Sequence, residues 1–247
     1  MGVSAYSIVY FLQRRIFPGF KISKKDLVLD IGSGDRPFWR GDVFLDDLGK
    51  DNKQRISGQN TVKHLGLFIN DNAARMPFKN KVFDFSFCSH VLEHVDNPKS
   101  VIEEIVRVSK QGYLEIPNGI TEVIKPFHSH LWIIFYDGKT LYFLRKKQNW
   151  ENILLKNGEL FEPFIQKVQK AFFIRIYWKD KIPYKILKNV YEGKDYQVGN
   201  KETKGWIKTN ISLYLLIITF MRKLFYKEKS INPKEILKKN PRLKPAK

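Results

Sequence analysis

Two glycines and a set of carboxylates supply the first chemistry in this sequence. Gly32 and Gly34 follow directly on the apolar run Leu27 to Ile31, in the order Asp30-Ile31-Gly32-Ser33-Gly34-Asp35. Such a run predicts a short strand buried on both faces. Paired glycines after it permit a tight turn and a close approach of backbone to a ligand. A second apolar run, Val43 to Leu45, ends on Asp46, and a carboxylate at that strand tip suits two vicinal ribose hydroxyls. The third glycine of a dinucleotide fingerprint is missing, because Arg36-Pro37 stands where a helix would start. That speaks against a pyrophosphate on a helix N-terminus. The turn alone is compatible with a nucleoside site or with an ordinary strand-to-loop connection.

Imidazoles provide the second chemistry. Ser89 and His90 follow the apolar run Val82 to Cys88, and His94 lies one turn further on. His128-Ser129-His130 comes after a fifth apolar run, Tyr113 to Ile116, which Pro117-Asn118-Gly119 stops. A group titrating near neutrality is what proton removal from an acceptor needs, so His90, His128 and His130 are the candidate catalytic residues. His94 is expected to make a structural hydrogen bond. A His-x-His pair can also ligate a metal, but no third ligand is evident, so no metal site is expected. Cys88 is the single cysteine, which rules out a disulfide framework and a cysteine-based metal site.

The elements that must position these groups alternate. His64 to Asn70 predicts a third strand ending at Asp71-Asn72, and Met76-Pro77-Phe78 closes a turn. Ser89 to Val95 reads as one or two helical turns. Asn97-Pro98 opens a helix with apolar positions Val101, Ile102, Ile105, Val106 and Val108. Strands alternating with helices imply a mostly parallel sheet with ligands beyond the strand C-termini.

Residues 28–118 resemble the class I S-adenosylmethionine-dependent methyltransferases of the methyltransferase-11 type. The resemblance is carried by Leu29-Asp30-Ile31-Gly32-Ser33-Gly34, by Met76-Pro77-Phe78 ahead of Val82-Phe83-Asp84-Phe85, by Cys88-Ser89-His90-Val91-Leu92-Glu93-His94-Val95, and by Gly112-Tyr113-Leu114-Glu115. It implies an α/β fold: a Rossmann-like, mostly parallel sheet with helices on both faces, here with a C-terminal β-hairpin extension and a helical basic tail. It also implies S-adenosylmethionine as cofactor, which has no pyrophosphate and so removes the objection raised by Arg36-Pro37. Carried over by position, Asp30, Gly32, Ser33 and Gly34 would line the methionine and ribose part, and Asp46 would take the ribose hydroxyls. Asp71 or Asn72 would face the adenine amino group, and Ser89 and His90 would border the cofactor. The sequence departs from the pattern in three places. Only eight residues separate Gly34 from Val43, so the first helix must be very short; Asp47 adjoins Asp46; and the spacing to Met76 fits Asn72 better than Asp71.

Beyond residue 130 the alternation ends. Leu131 to Tyr136 and Lys139 to Leu144 flank Asp137-Gly138 and predict a hairpin with a two-residue turn. Phe172 to Trp178 and Ile182 to Leu187 predict a second, and 149–155 a helix between them. Residues 188–205 read as polar and irregular, and residues 229–247 as disordered. The expected organisation is an N-terminal helix in 1–23, a core in 24–125, a hairpin-rich substrate cap in 126–190, and a basic tail with an apolar helix in 191–247.

Charge is distributed unevenly. The net charge is +19 over 247 residues, yet residues 24–125 are balanced and residues 126–247 hold 26 Lys/Arg against 10 Asp/Glu. Residues 207–225 are apolar and are followed by Lys227. They predict either a helix docked on the domain or a membrane-interface segment with Arg222 and Lys223 near anionic headgroups. No secretory signal or myristoylation pattern is evident at the N-terminus. The expected function is methyl transfer to a small or lipid-linked acceptor, in the cytoplasm and peripheral at the inner membrane face. The alternatives are an RNA or protein methyltransferase using the basic half as a phosphate footprint, or a methyltransferase-like scaffold without turnover. Nucleic acid is the less favoured partner, because no RNA-binding module is recognisable.

Overall fold

The structure is a computed structural model that describes residues 19, 21–47, 65–124, 127, 129–146, 173–191 and 214–238. Its main sheet has six strands in the order β3-β2-β1-β4-β5-β8: β1 Val28–Ile31, β2 Val43–Asp46, β3 Leu67–Asn70, β4 Phe83–Ser89, β5 Ser109–Pro117 and β8 Phe173–Lys179. The first five are parallel, and β8 runs antiparallel along β5, with Leu114 opposite Ile176. The order reverses direction at β1, so the crevice beyond the C-terminal ends of β1 and β4 is where this topology places a ligand.

The pleat sends alternate side chains to opposite faces, and each face has its own cover. Leu29, Ile31, Val43 and Leu45 pack with Val101, Ile102, Ile105 and Val108. The latter four lie on α1, Pro98–Val108, whose N-cap Asn97 accepts a hydrogen bond from the Ser100 amide and whose first residue is the expected proline. Each of these side chains is fully buried, worth about 1.5–3 kcal/mol apiece. On the other face Val28, Phe85, Phe87 and Tyr113 pack around Phe38. Phe44 and Leu65 pack there against Tyr214 and Ile218 of α3, the helix over residues 214–225.

No helix at all joins β1 to β2; residues 32–42 form turns and bends. Instead, Tyr214 Oη donates to the Pro37 carbonyl at 2.6 Å, and the Arg222 guanidinium donates to the carbonyls of Trp39 at 2.7 Å, Gly41 at 2.8 Å and Leu65. A late helix thus satisfies the backbone of an irregular early loop. Arg222 is buried, so the cation expected to meet lipid headgroups is engaged within the fold.

The second sheet is β6-β7-β9, built from β6 Trp132–Tyr136, β7 Leu141–Lys146 and β9 Tyr184–Tyr191. The first expected hairpin is present as β6-β7, but its loop is four residues, 137–140, because Tyr136 pairs with Leu141. Asp137 Oδ1 accepts the amides of Lys139 and Thr140 and holds the loop closed. The second expected hairpin does not form: β8 joins the main sheet, and β9 lies parallel to β7. The expected disorder of the tail is also corrected for residues 229–238. Lys229 Nζ reaches the Asp42 carboxylate at 2.9 Å, Ile236 and Leu237 are buried around the short α4, Pro233–Ile236, and Lys238 N donates to the Pro77 carbonyl. Residues 1–18, 149–155, 192–213 and 239–247 lie outside the described residues, so the expected N-terminal helix and the helix near 149 do too.

Candidate active site

At the end of β1 the chain turns through two left-handed glycines, Gly32 at φ 67° and Gly34 at φ 52°. A Cβ on Gly32 would stand 2.3 Å from Val91 Cγ2, so the turn and the segment after β4 touch with nothing to spare. A Cβ on Gly34 would meet no atom closer than 3.9 Å, the nearest being the Gly32 carbonyl and Asp46 Oδ2. The turn is bare on that side, and Asp46 faces it from the tip of β2. Asp46 Oδ2 accepts the Gly34 amide at 2.5 Å, and the Gly32 amide donates to the Leu45 carbonyl at 2.8 Å. Asp30 is buried, and its Oδ2 accepts the Phe38 amide at 2.7 Å, so it shapes the loop from below. Ser33 Oγ is buried with no hydrogen-bond partner among the described residues.

Asp71 and Asn72 follow β3. Asp71 N donates to the Asp46 carbonyl at 3.2 Å, which ties the two strand tips together. Asp71 Oδ1 accepts the Asn72 amide, and Asn72 Oδ1 caps the 3-10 turn Ala73–Arg75 by accepting the Ala74 amide at 2.7 Å. Asn72 is thereby committed as an acceptor, while its amide NH2 remains able to donate.

After β4 the expected helical turns are absent; residues 90–96 form a bend and a turn. Ser89 is buried, with Oγ donating to Glu115 Oε1 at 3.2 Å. His90 takes φ 58°, a costly conformation for a side chain with a Cβ. Its Nδ1 lies 2.9 Å from Glu93 Oε1, and its Nε2 lies 3.6 Å from Glu115 Oε1. Burial disfavours the His90 cation, but Glu115 and Glu93 outweigh it and hold the pKa above its ordinary value. Burial likewise opposes the Glu93 anion, yet the His90 hydrogen bond and neighbouring imidazoles bring its pKa down to about 2. His94 Nδ1 meets the Ser129 carbonyl at 3.0 Å, as a structural histidine should. Burial pushes its pKa down despite Glu93.

His130 is buried, and its Nδ1 bonds to Glu122 on α2, Gly119–Ile124. Its ring packs edge-on against His94 with centroids 4.7 Å apart. Glu122 Oε2 is also 3.6 Å from Lys146 Nζ on β7. His128 lies outside the described residues. The structure therefore joins His90, Glu93, His94 and His130 into one cluster beside the glycine turn. Three buried glutamates organise it, and none had been assigned a role from the sequence. Glu93 stands inside a quoted motif, and Glu115 interrupts an apolar strand, which is a legible signal. Glu122 has none, because only the fold brings it to His130.

Residues 39–115 match the family described as methyltransferase domain. That match spans less than a third of the chain. S-adenosylmethionine is the cofactor of that family. No curated protein matches the chain. Among solved structures, an S-adenosylmethionine-dependent methyltransferase of Thermotoga maritima is 18% identical over 46% of this chain and 54% of its own, with a TM-score of 0.36. One from Methanosarcina mazei is 22% identical over 49% and 61%, with a TM-score of 0.31. Phosphoethanolamine N-methyltransferase 1 of Haemonchus contortus, in complex with phosphoethanolamine and S-adenosylhomocysteine, is 16% identical over 46% and 26%, with a TM-score of 0.32. The chain thus spans between a quarter and three fifths of the length of these structures.

The turn after β1 and the tip of β2 are compatible with that cofactor. The open side of Gly34 leaves room for a bound molecule, and the Asp46 carboxylate stands beside it. No helix among the described residues is long and apolar enough to cross a membrane.

Proposed function

We propose that the protein transfers a methyl group from S-adenosylmethionine to a small or lipid-linked acceptor at the cytoplasmic membrane face. The observation that carries this reading is the left-handed glycine turn bonded to the Asp46 carboxylate, adjoining a segment of methyltransferase sequence. When bound, the cofactor supplies an electrophilic methyl group on a sulfonium. Asp46 accepts hydrogen bonds from the ribose hydroxyls, the glycine turn lets the backbone close on the bound molecule, and Asp71 or Asn72 contacts the adenine edge. Displacement at a methyl group asks the protein mainly to align the acceptor and to remove its proton. His90 Nδ1 is engaged by Glu93 and its Nε2 lies 3.6 Å from Glu115, so it suits orientation of the acceptor better than proton removal. Proton removal then falls to His128 or His130, and Glu122 fixes the His130 ring so that Nε2 is the atom left to accept.

The lipid-linked acceptor is supported by α3. Its Tyr214, Ile218 and Arg222 point inward, while Leu216, Phe220 and Leu224 on the opposite side are more than half exposed, at 69%, 60% and 56%. Docking and interface binding, alternatives from the sequence, are compatible on a helix with two apolar sides. Incubating the protein with radiolabelled cofactor and separate lipid, RNA and protein extracts tests the reading. Label entering the lipid fraction is expected; label entering only RNA or protein would replace the acceptor class, and no label in any fraction would favour a scaffold.

A further inference from the structure

A largely buried group of atoms able to ligate a metal stands where the segment after β4 meets the segment leading into β6. Glu93, His94 and His130 each offer one ligand atom, and these atoms all lie within 4.8 Å of one another. Both imidazoles already have the hydrogen bonds that ready a histidine for a metal. His94 Nδ1 is turned to the Ser129 carbonyl and His130 Nδ1 to the Glu122 carboxylate, which leaves Nε2 of each ring with its lone pair. Glu93 is fully buried, and while its Oε1 serves His90, its Oε2 is buried with no hydrogen-bond partner among the described residues. A buried carboxylate oxygen without a partner is costly unless something positive meets it.

We propose that Glu93, His94 and His130 bind a zinc ion that clamps the segment after β4 to the segment leading into β6. Two imidazoles and one carboxylate form a ligand set that zinc accepts, with water in the fourth position. Glu122 Oε1 holds the His130 ring from behind, and its other oxygen lies 3.6 Å from Lys146 Nζ, which also donates to the Phe127 carbonyl. Zinc bonds of about 2.0–2.1 Å in a tetrahedron bring ligand atoms to about 3.3 Å apart, so binding draws the three side chains inward. The ion takes the Nε2 electron pair that a general base would use, which leaves proton removal to His128 or to solvent. Hard cations such as Mg2+ compete poorly at imidazole nitrogens.

Tag-free protein purified without chelator tests this by its metal content and melting temperature. Wild type should carry about one zinc per chain. It should lose melting temperature when stripped with chelator and regain it with Zn2+ but not with Mg2+. Glu93→Gln and His130→Gln should abolish both effects, and Glu122→Gln should weaken zinc affinity by about 10–100-fold. Should a variant fold poorly, Co2+ added to stripped wild type decides the question. Strong visible bands of a low-coordinate nitrogen and oxygen site, with no thiolate band from Cys88, support the clamp. The pale spectrum of hydrated cobalt overturns it. Zinc uptake equal in Glu93→Gln, His130→Gln and wild type, or none in wild type, would also overturn it and leave a hydrogen-bonded imidazole cluster.

Discussion

Gly32 carries two constraints at once, a positive φ and the Val91 methyl group where its Cβ would be. Gly32→Ala should therefore destabilise the protein by about 2–4 kcal/mol in urea unfolding and weaken cofactor binding with it. A stability change under about 0.5 kcal/mol would show that the turn yields easily. Glu104 behaves differently. Burial would raise its pKa, but Arg107 at 2.6 and 2.7 Å and the Met76 amide at 2.6 Å hold it below the usual range. A depressed native pKa contributes stability that is complete above the unfolded value of about 4.3 and disappears as pH falls through the native value. Wild type should thus exceed Glu104→Gln in stability at pH 7, with the gap shrinking below pH 4; a gap independent of pH would refute the ionic origin. At this scale the tight turn through Gly32 and Gly34 was legible, because paired glycines after an apolar run imply it, and Asp46 at the next strand tip is the group that turn bonds to. The sequence did not disclose what Asp30 does, since the Phe38 amide it accepts is eight residues away across an irregular loop.

Among elements, the five parallel strands and the Asn97-capped helix α1 were legible because each has a local signature: an apolar run, a stop, a cap. Local signatures do not record partners. Phe172 to Trp178 and Ile182 to Leu187 read as a hairpin because they are adjacent, yet the edge of β5 and the edge of β7 were both open to pairing, and β8 and β9 each took one. Likewise nothing near residue 218 announces that Phe44 and Leu65 need covering. Arg222→Ala removes a cation that donates to three backbone carbonyls, and should cost about 3 kcal/mol together with broadened unfolding. A chain ending at Gly205 should lose cooperative unfolding altogether, because it uncovers Phe44 and Leu65. A truncated chain that melts like wild type would mean that α3 is dispensable to the fold.

The whole molecule sets a charge-balanced cofactor half beside a basic remainder, and α3 shows an apolar outer side with Lys223 and Lys227 exposed next to it. Replacing Leu216, Phe220 and Leu224 by serine should abolish flotation with anionic liposomes while leaving the melting temperature within a few degrees, since these side chains are outside the core. Flotation unchanged by the triple substitution would remove the membrane from the account. The proposed methyl transfer depends first on the cofactor, and calorimetric titration of S-adenosylmethionine into the full-length protein measures its binding directly. The account predicts binding of one molecule per chain, weakened in Asp46→Ala by about 1.5–3 kcal/mol for each hydrogen bond lost. A folded wild-type protein that gives no binding heat at several temperatures, or an Asp46→Ala variant that binds as tightly as wild type, would contradict it.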